Sequence, residues 1–159
     1  MHHPIPPVFN AQSRILILGS FPSVMSREVG FYYGHPQNRF WKILAHLLGT
    51  AVPTTVNSKR EFLLSHNIAL WDIIGSCEIS GSADNSIRKA IPNDLSFVLT
   101  SAPIQAIFLN GKTAYRIYEK YRKANGYPQA IVLPSTSPAN ATYYLDALIE
   151  AWRPITAYL

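Results

Sequence analysis

The apolar positions of this chain fall into two kinds of block. Arg14-Ile-Leu-Ile-Leu-Gly19 is an uninterrupted apolar run that ends on glycine. Such a run keeps no polar face for water, so it predicts a strand buried on both sides, as in a parallel sheet. Ile68 to Ile74, Ile104 to Leu109 and Ala130 to Leu133 repeat the signal and predict three further strands. Between them the spacing changes. Phe40, Ile43, Leu44, Leu47 and Leu48 mark one face of a helix over 39–48, which Gly49 ends. Ser58-Lys-Arg-Glu61 has the form of a capping box and predicts a helix reaching about His66. Asn93 or Asp94 caps a short helix to Thr100. Lys112 to Lys123 is helical and stops at Asn125-Gly126. Ala141 to Trp152 is the last helix, closed near Pro154.

Strands that alternate with helices need crossovers, and these place helices on both faces of one sheet. The expected fold is α/β, a three-layer α/β/α sandwich with a central, mainly parallel four-stranded sheet. No linker, repeat or low-complexity stretch divides the chain, so residues 1–159 read as a single domain.

In such a sheet the ligand crevice lies beyond the carboxyl ends of the strands. Two loops are expected there. The first is Gly19-Ser-Phe-Pro-Ser23, continuing through Gly30-Phe-Tyr-Tyr-Gly-His-Pro-Gln-Asn-Arg-Phe-Trp41; the second is Pro134-Ser-Thr-Ser-Pro-Ala-Asn140. Both are small, polar and proline-rich rather than charged, which suits a neutral ligand flanked by phosphates. Phe31, Tyr32 and Tyr33 cannot all point inward from extended chain, because side chains alternate. At least one is therefore expected to be free to stack on a ligand. Asn38, just before a helix, suits a cap and equally an amide facing a base or water. His35 suits general acid work or a structural hydrogen bond. Ser135, Thr136 and Ser137, ahead of a helix, suit phosphate contact without fixed charge.

Composition narrows the chemistry. A net charge of +5 favours a polyanionic partner. Lys112, Arg116, Lys120 and Lys123 form a stripe on one helix, a solvated face or a phosphate contact. The lone Cys77 excludes an internal disulfide and any site with several cysteine ligands, and a reducing, cytoplasmic setting is expected. No apolar run is long enough to span a bilayer, and the N-terminus has no secretory pattern. His2 and His3 are too few for a tag. The five histidines have no metal-site spacing, so no metal or cofactor is expected. Neither a Walker loop, a dinucleotide fingerprint nor a nucleophile elbow occurs, and no two carboxylates pair obviously for sugar chemistry.

The loops resemble those of the uracil-DNA glycosylase superfamily. Gly19-Ser-Phe-Pro-Ser23 stands at the first motif, Ser135-Thr-Ser-Pro-Ala-Asn140 at the second, and the Asn38-Arg-Phe-Trp41 block and Asn110-Gly-Lys-Thr-Ala-Tyr115 are similar to further segments, in the right order. Phe21 replaces the first motif's Asn, Ser135 the second motif's leading residue, and Ala139 the wedging leucine. That combination resembles the hypoxanthine-DNA glycosylase branch. The resemblance implies hydrolysis of the N-glycosidic bond of a deaminated base in DNA, most simply hypoxanthine, leaving an abasic site. It implies Asn38 as the catalytic residue. It implies base contacts from Gly19, Ser20, Phe21, Pro22, Tyr33 and Asp72. DNA contacts are then expected from Ser23, His35, Ser135, Thr136, Ser137, Pro138, Ala139 and Asn140. Excision of uracil within the same superfamily, or a non-catalytic module binding DNA or a nucleotide, are the alternatives.

Overall fold

The computed structural model describes residues 1–159. In chain order its elements are β1 (Ile15–Gly19), α1 (Val24–Val29), α2 (Phe40–Leu48), α3 (Val56–Ser65), β2 (Ile68–Asp72), β3 (Ile74–Glu78), β4 (Arg88–Pro92), α4 (Ser96–Ser101), β5 (Ala106–Asn110), α5 (Lys112–Asn125), β6 (Ile131–Leu133) and α6 (Leu145–Trp152). Short 3-10 segments cover Asp84–Ser86 and Arg153–Tyr158.

The central sheet has the order β2-β1-β5-β6, and every neighbouring pair is parallel. Its strands alternate between two cores. Ile15 and Ile17, Ile68 and Leu70, and Phe108 pack with α2, α3 and α6. Leu16 and Leu18, Ala69, and Ile107 and Leu109 pack on the other side with α4 and α5. Strands β1, β2 and β5 thus spend both faces on burial, the physical reason their sequences are largely apolar, whereas the edge strand β6 leaves Ile131 and Val132 exposed. The expected three-layer α/β/α sandwich on a parallel four-stranded sheet is the observed fold.

Several boundaries differ from the pattern in the sequence. The strand expected over 68–74 ends at Asp72, and Ile74 opens an antiparallel hairpin, β3–β4, with two register irregularities. The break is fixed by Asn93, whose amide donates to the carbonyls of Asp72 (2.9 Å) and Ile74 (3.2 Å). Helix α1 lies inside the expected loop; it has only six residues, too few for a period to show. The cap of helix α3 lies three residues before the start of the expected box. It is a reciprocal cap of Thr55 with Ser58: the Thr55 hydroxyl accepts from the Ser58 amide (3.0 Å), and the Ser58 hydroxyl accepts from the Thr55 amide (2.9 Å). Helix α6 starts at Leu145 rather than Ala141, and the chain passes through Pro154 into a 3-10 segment instead of stopping.

The N-terminal segment lies along the strands nearest the site. Val8 bridges Leu70, His2 bridges Ser76, and the His3 amide donates to the Gly75 carbonyl (2.8 Å). The Tyr32 hydroxyl pins it from the other side through the carbonyls of Ile5 (3.2 Å) and Pro6 (2.9 Å).

Candidate active site

A crevice of about 350 Å³ opens where β1, β2 and β5 end, closed on one side by the loop after β6. That is near the lower end of the roughly 300–1,000 Å³ of small-molecule sites, a size for one base rather than a dinucleotide. The residues singled out from the sequence converge on it: Gly19, Ser20, Phe21, Pro22 and Ser23, Tyr33, His35, Asn38, Asp72, and Ser135 through Asn140 all line its walls. Asn110 and, from the β3–β4 hairpin, Ser82, Ala83 and Asp84 line it too.

The floor is Asp72, at the end of β2 and 3% exposed. Its Oδ2 lies 2.8 Å from Nε2 of His3, whose side chain is equally buried. Nδ1 of that ring accepts from the Ile5 amide (3.2 Å), so Nε2 carries the proton and donates to the carboxylate. Oδ1 takes no hydrogen bond from the protein and remains an acceptor for a ligand. No sequence signal announced His3, since the pair spans 69 residues and the partner sits in an irregular segment.

Tyr33 forms a wall. It has φ of 52°, a left-handed turn that ends the aromatic run. Phe31 and Tyr32 go into the core, at 1% and 2% exposure, while Tyr33 stacks one face on Phe40 with centroids 4.1 Å apart and leaves the other to the crevice. The alternation expected of extended chain is thus replaced by a turn, with one ring free. The Tyr33 hydroxyl is buried without a hydrogen-bond partner, and burial beside Asp72 pushes its pKa well above that of an ordinary phenol. Gly19 is required here: a Cβ on it would fall 2.5 Å from Oδ1 of Asp72 and 2.8 Å from the Tyr33 hydroxyl.

The first loop offers its backbone. The carbonyls of Gly19 and Ser20 are occupied by the amides of Ile73 (2.8 Å) and Ile74 (3.1 Å), which leaves the loop's N–H groups to meet a ligand. The Phe21 ring is buried edge-on to His3, centroids 5.7 Å apart, with the Arg27 guanidinium 5.8 Å from it. Ser23, expected at the DNA, uses its hydroxyl to accept from the Ser26 amide (3.1 Å) and so caps α1. His35 Nδ1 accepts from the Gln37 amide (3.1 Å), a structural bond that holds the turn.

Asn38 makes a cap-like bond and keeps its amide nitrogen free. Its Oδ1 accepts from the Phe40 amide (3.0 Å), a cap-like bond, although Arg39 occupies the cap position itself. The same oxygen accepts from the Thr136 hydroxyl (2.9 Å). The backbone donor fixes which end is oxygen, so Nδ2 is the free end, on a residue that lines the crevice. Asn110 grips Thr136 twice: its Nδ2 donates to the hydroxyl (3.0 Å), and its Oδ1 accepts from the amide (3.0 Å). Thr136 is fully buried, so it positions Asn38 and its hydroxyl is not presented to a phosphate.

The second loop is tied down by Arg39. Its guanidinium donates to the carbonyls of Ser137 (2.6 Å), Asn140 (3.1 Å), Thr136 (3.4 Å) and Tyr143. Ser135 and Ser137 accept from the amides of Ser137 and Ala139 (each 3.2 Å), and the Asn140 amide donates to the Ser135 carbonyl (3.0 Å). Because α6 starts late, these hydroxyls sit in turns and not at a helix N-terminus as the sequence suggested. Pro138 and Ala139 form an exposed tip. Lys112, Arg116, Lys120 and Lys123 are all exposed on α5, which begins where β5 ends.

The profile of the Uracil DNA glycosylase superfamily matches residues 6–155. The chain belongs to the uracil DNA glycosylase superfamily. As a member it is a monofunctional DNA glycosylase, a hydrolase of N-glycosidic bonds. Two relatives named hypoxanthine DNA glycosylase are similar to it over most of their length. The protein from Methanosarcina barkeri (strain Fusaro / DSM 804) is 35% identical over 137 residues, 85% of each chain. That from Methanosarcina acetivorans is 36% identical over 140 residues, 87% of each. The solution NMR structure of a protein from Methanosarcina acetivorans, given there as a candidate uracil DNA glycosylase, superposes with a TM-score of 0.79 at 31% identity, covering 98% of each chain. In this glycosylase no helix is long and apolar enough to cross a membrane.

Proposed function

We propose that this glycosylase excises hypoxanthine from DNA. The observation that carries the reading is the floor of the crevice, an acceptor at Asp72 held by His3 at 2.8 Å beside a loop whose Gly19 and Ser20 carbonyls are already taken. Deamination of adenine turns N1 from an acceptor into an N–H donor and replaces the 6-amino donor with a carbonyl. A carboxylate opposite N1 and amides opposite O6 fit the damaged base and reject adenine, because a buried unpaired group costs about 1–3 kcal/mol on each mismatched edge. The names of the relatives support the same base.

In this reading the nucleotide leaves the stack at a cost of a few kcal/mol. The base slides against the free face of Tyr33. Asp72 Oδ1 accepts from N1–H, and the Ser20 and Phe21 amides donate to O6. The Asn38 amide donates to the leaving base as negative charge develops on it. The second loop, with its tip at Pro138 and Ala139, and the basic face of α5 meet the flanking phosphates. The site of action is wherever the cell's DNA lies, in a prokaryote the cytoplasmic nucleoid.

The test uses duplexes carrying one deoxyinosine, one deoxyuridine or no lesion, incubated with the protein in EDTA and then treated with alkali. Strand breaks at deoxyinosine that appear only after alkali are expected. Release of uracil without hypoxanthine would transfer the reading to the other base. Retained DNA binding with no base released would make the protein a binding module. Activity lost in EDTA and restored by a divalent ion would overturn the route through these side chains alone.

A further inference from the structure

Asp84 is the second carboxylate of the crevice, and nothing in the foregoing mechanism uses it. It comes from the tip of the β3–β4 hairpin, remote in sequence from the first loop, and three contacts clamp that tip down. The Ser20 hydroxyl donates to Asp84 Oδ1 (2.8 Å), the Val24 amide donates to the Ser82 hydroxyl (2.9 Å), and the Arg27 guanidinium donates to the Gly81 carbonyl (3.2 Å). The second oxygen of Asp84 takes no hydrogen bond from the protein, and the residue lines the crevice. Depth separates the two carboxylates. Asp72 is 3% exposed at the floor, whereas Asp84 belongs to a solvent-exposed turn at the mouth. A flipped nucleotide enters base first, so a base at the floor puts its sugar at the level of the mouth.

We infer that Asp84 is a further catalytic residue, acting on the sugar: its free oxygen faces the cationic deoxyribose and orients the attacking water. The inference rests on the glycosylase reading above. When the bond from C1′ to N9 breaks, its electron pair leaves with the purine and positive charge remains on the sugar. The water oxygen then bonds to C1′, one water proton passes to Asp84 and from it to solvent, and the hypoxanthine anion takes a proton from solvent. One water is consumed and no other reactant is needed. A carboxylate at the mouth opposes DNA phosphates, so binding alone gives no reason for it; a developing cation does.

Desolvation and three groups set the charge of Asp84. Although the residue as a whole is exposed, desolvation of its carboxyl at the crevice wall raises its pKa above the ordinary value, the Ser20 hydroxyl on the first loop lowers it, Asp72 at the end of β2 raises it, and Arg116 on α5 lowers it. The ionised form is the useful one. The rate therefore falls as pH drops through a value above about 3.9, the ordinary aspartate position.

The experiment compares Asp84→Asn with the wild type in single-turnover excision from inosine duplex, across pH, with melting temperature and DNA affinity measured on the same preparations. Asn keeps the shape and an oxygen for Ser20 but cannot take a proton. The expected result is a rate lower by about a hundredfold or more, the scale of general base catalysis. Affinity should be equal or tighter, folding unchanged, and the acid limb of the pH profile absent. Asp84→Glu should keep the acid limb. A wild-type rate in Asp84→Asn, or an acid limb that persists in it, would overturn the inference while leaving the substrate reading intact. A wild-type protein that releases no deaminated base would overturn both.

Discussion

Replacing Asn38 by Asp separates catalysis from architecture at a single atom. Oδ1 of Asn38 accepts from the Phe40 amide (3.0 Å) and the Thr136 hydroxyl (2.9 Å), while Nδ2 donates to nothing in the protein. Asp retains both internal bonds and replaces the free N–H group with an oxygen. Ala removes both bonds, which at about 0.5–1.5 kcal/mol each costs about 1–3 kcal/mol of stability. If the free amide serves the transition state, either variant should lose roughly a hundred- to a thousandfold in rate, about 2.7–4 kcal/mol, as for one preorganised donor. The added negative charge of Asp opposes charge developing on the base and deepens its loss. The assay is single-turnover release from inosine duplex, with melting curves and DNA affinity alongside. The expected pattern is a wild-type melting temperature for Asn38→Asp, a lowered one for Asn38→Ala, slow chemistry in both and little change in binding. A folded Asn38→Asp protein with the wild-type rate would refute the catalytic assignment and leave Asn38 as the peg between α2 and the second loop.

Further outcomes follow from neighbouring geometry. Tyr33→Phe should be active and at least as stable as the wild type, since the hydroxyl is buried without a partner, whereas Tyr33→Ala should lose base capture; single-turnover saturation curves check both. Gly19→Ala should lower activity sharply, because its methyl would meet Asp72 Oδ1 at 2.5 Å and the Tyr33 hydroxyl at 2.8 Å, and a melting curve shows whether the fold gives way too. His3→Ala should narrow the preference for deoxyinosine over deoxyadenosine by freeing the Asp72 carboxylate, and His3→Gln, which keeps a donor, should restore part of it in competition assays. Reversing Arg116 and Lys120 to Glu should weaken DNA binding and flatten its dependence on salt; an unchanged salt slope would return the α5 stripe to plain solvated surface.

The parts of this fold that were legible in the sequence are those where one local pattern has one cause. Strand β1 is apolar at Ile15 through Leu18 because two cores take alternate side chains, and that pattern needs no tertiary knowledge to read. The ends of such strands gave the position of the crevice, and hence Gly19 and the loop at Ser135, whereas Asp72, inside the strand expected over 68–74, came only with the family resemblance. The β3–β4 hairpin was hidden because its irregular register disrupts the period of two, and Lys89 adds a left-handed residue at φ of 53°. His3 and Asp84 were hidden for a different reason. Each acquires its meaning from a partner 69 or 64 residues away, and a lone His or Asp in an irregular segment carries no sign of that pairing. The cap at Thr55 was masked by overlapping hydroxyls, since Ser58 reads equally well as the start of a box and as the third residue of one.

Arg39 holds the second loop by carbonyl oxygens at Thr136, Ser137, Asn140 and Tyr143 and by none of its side chains. A frame fastened through main-chain atoms is indifferent to the letters written on it. Pro138 and Ala139, exposed at its tip, can therefore be exchanged as a cassette, and larger residues at Ala139 could be screened for insertion into the duplex without rebuilding the crevice. The corresponding weakness is concentration of risk. One planar guanidinium reaches four of these carbonyls, and lysine, with a single ammonium, cannot span the same set.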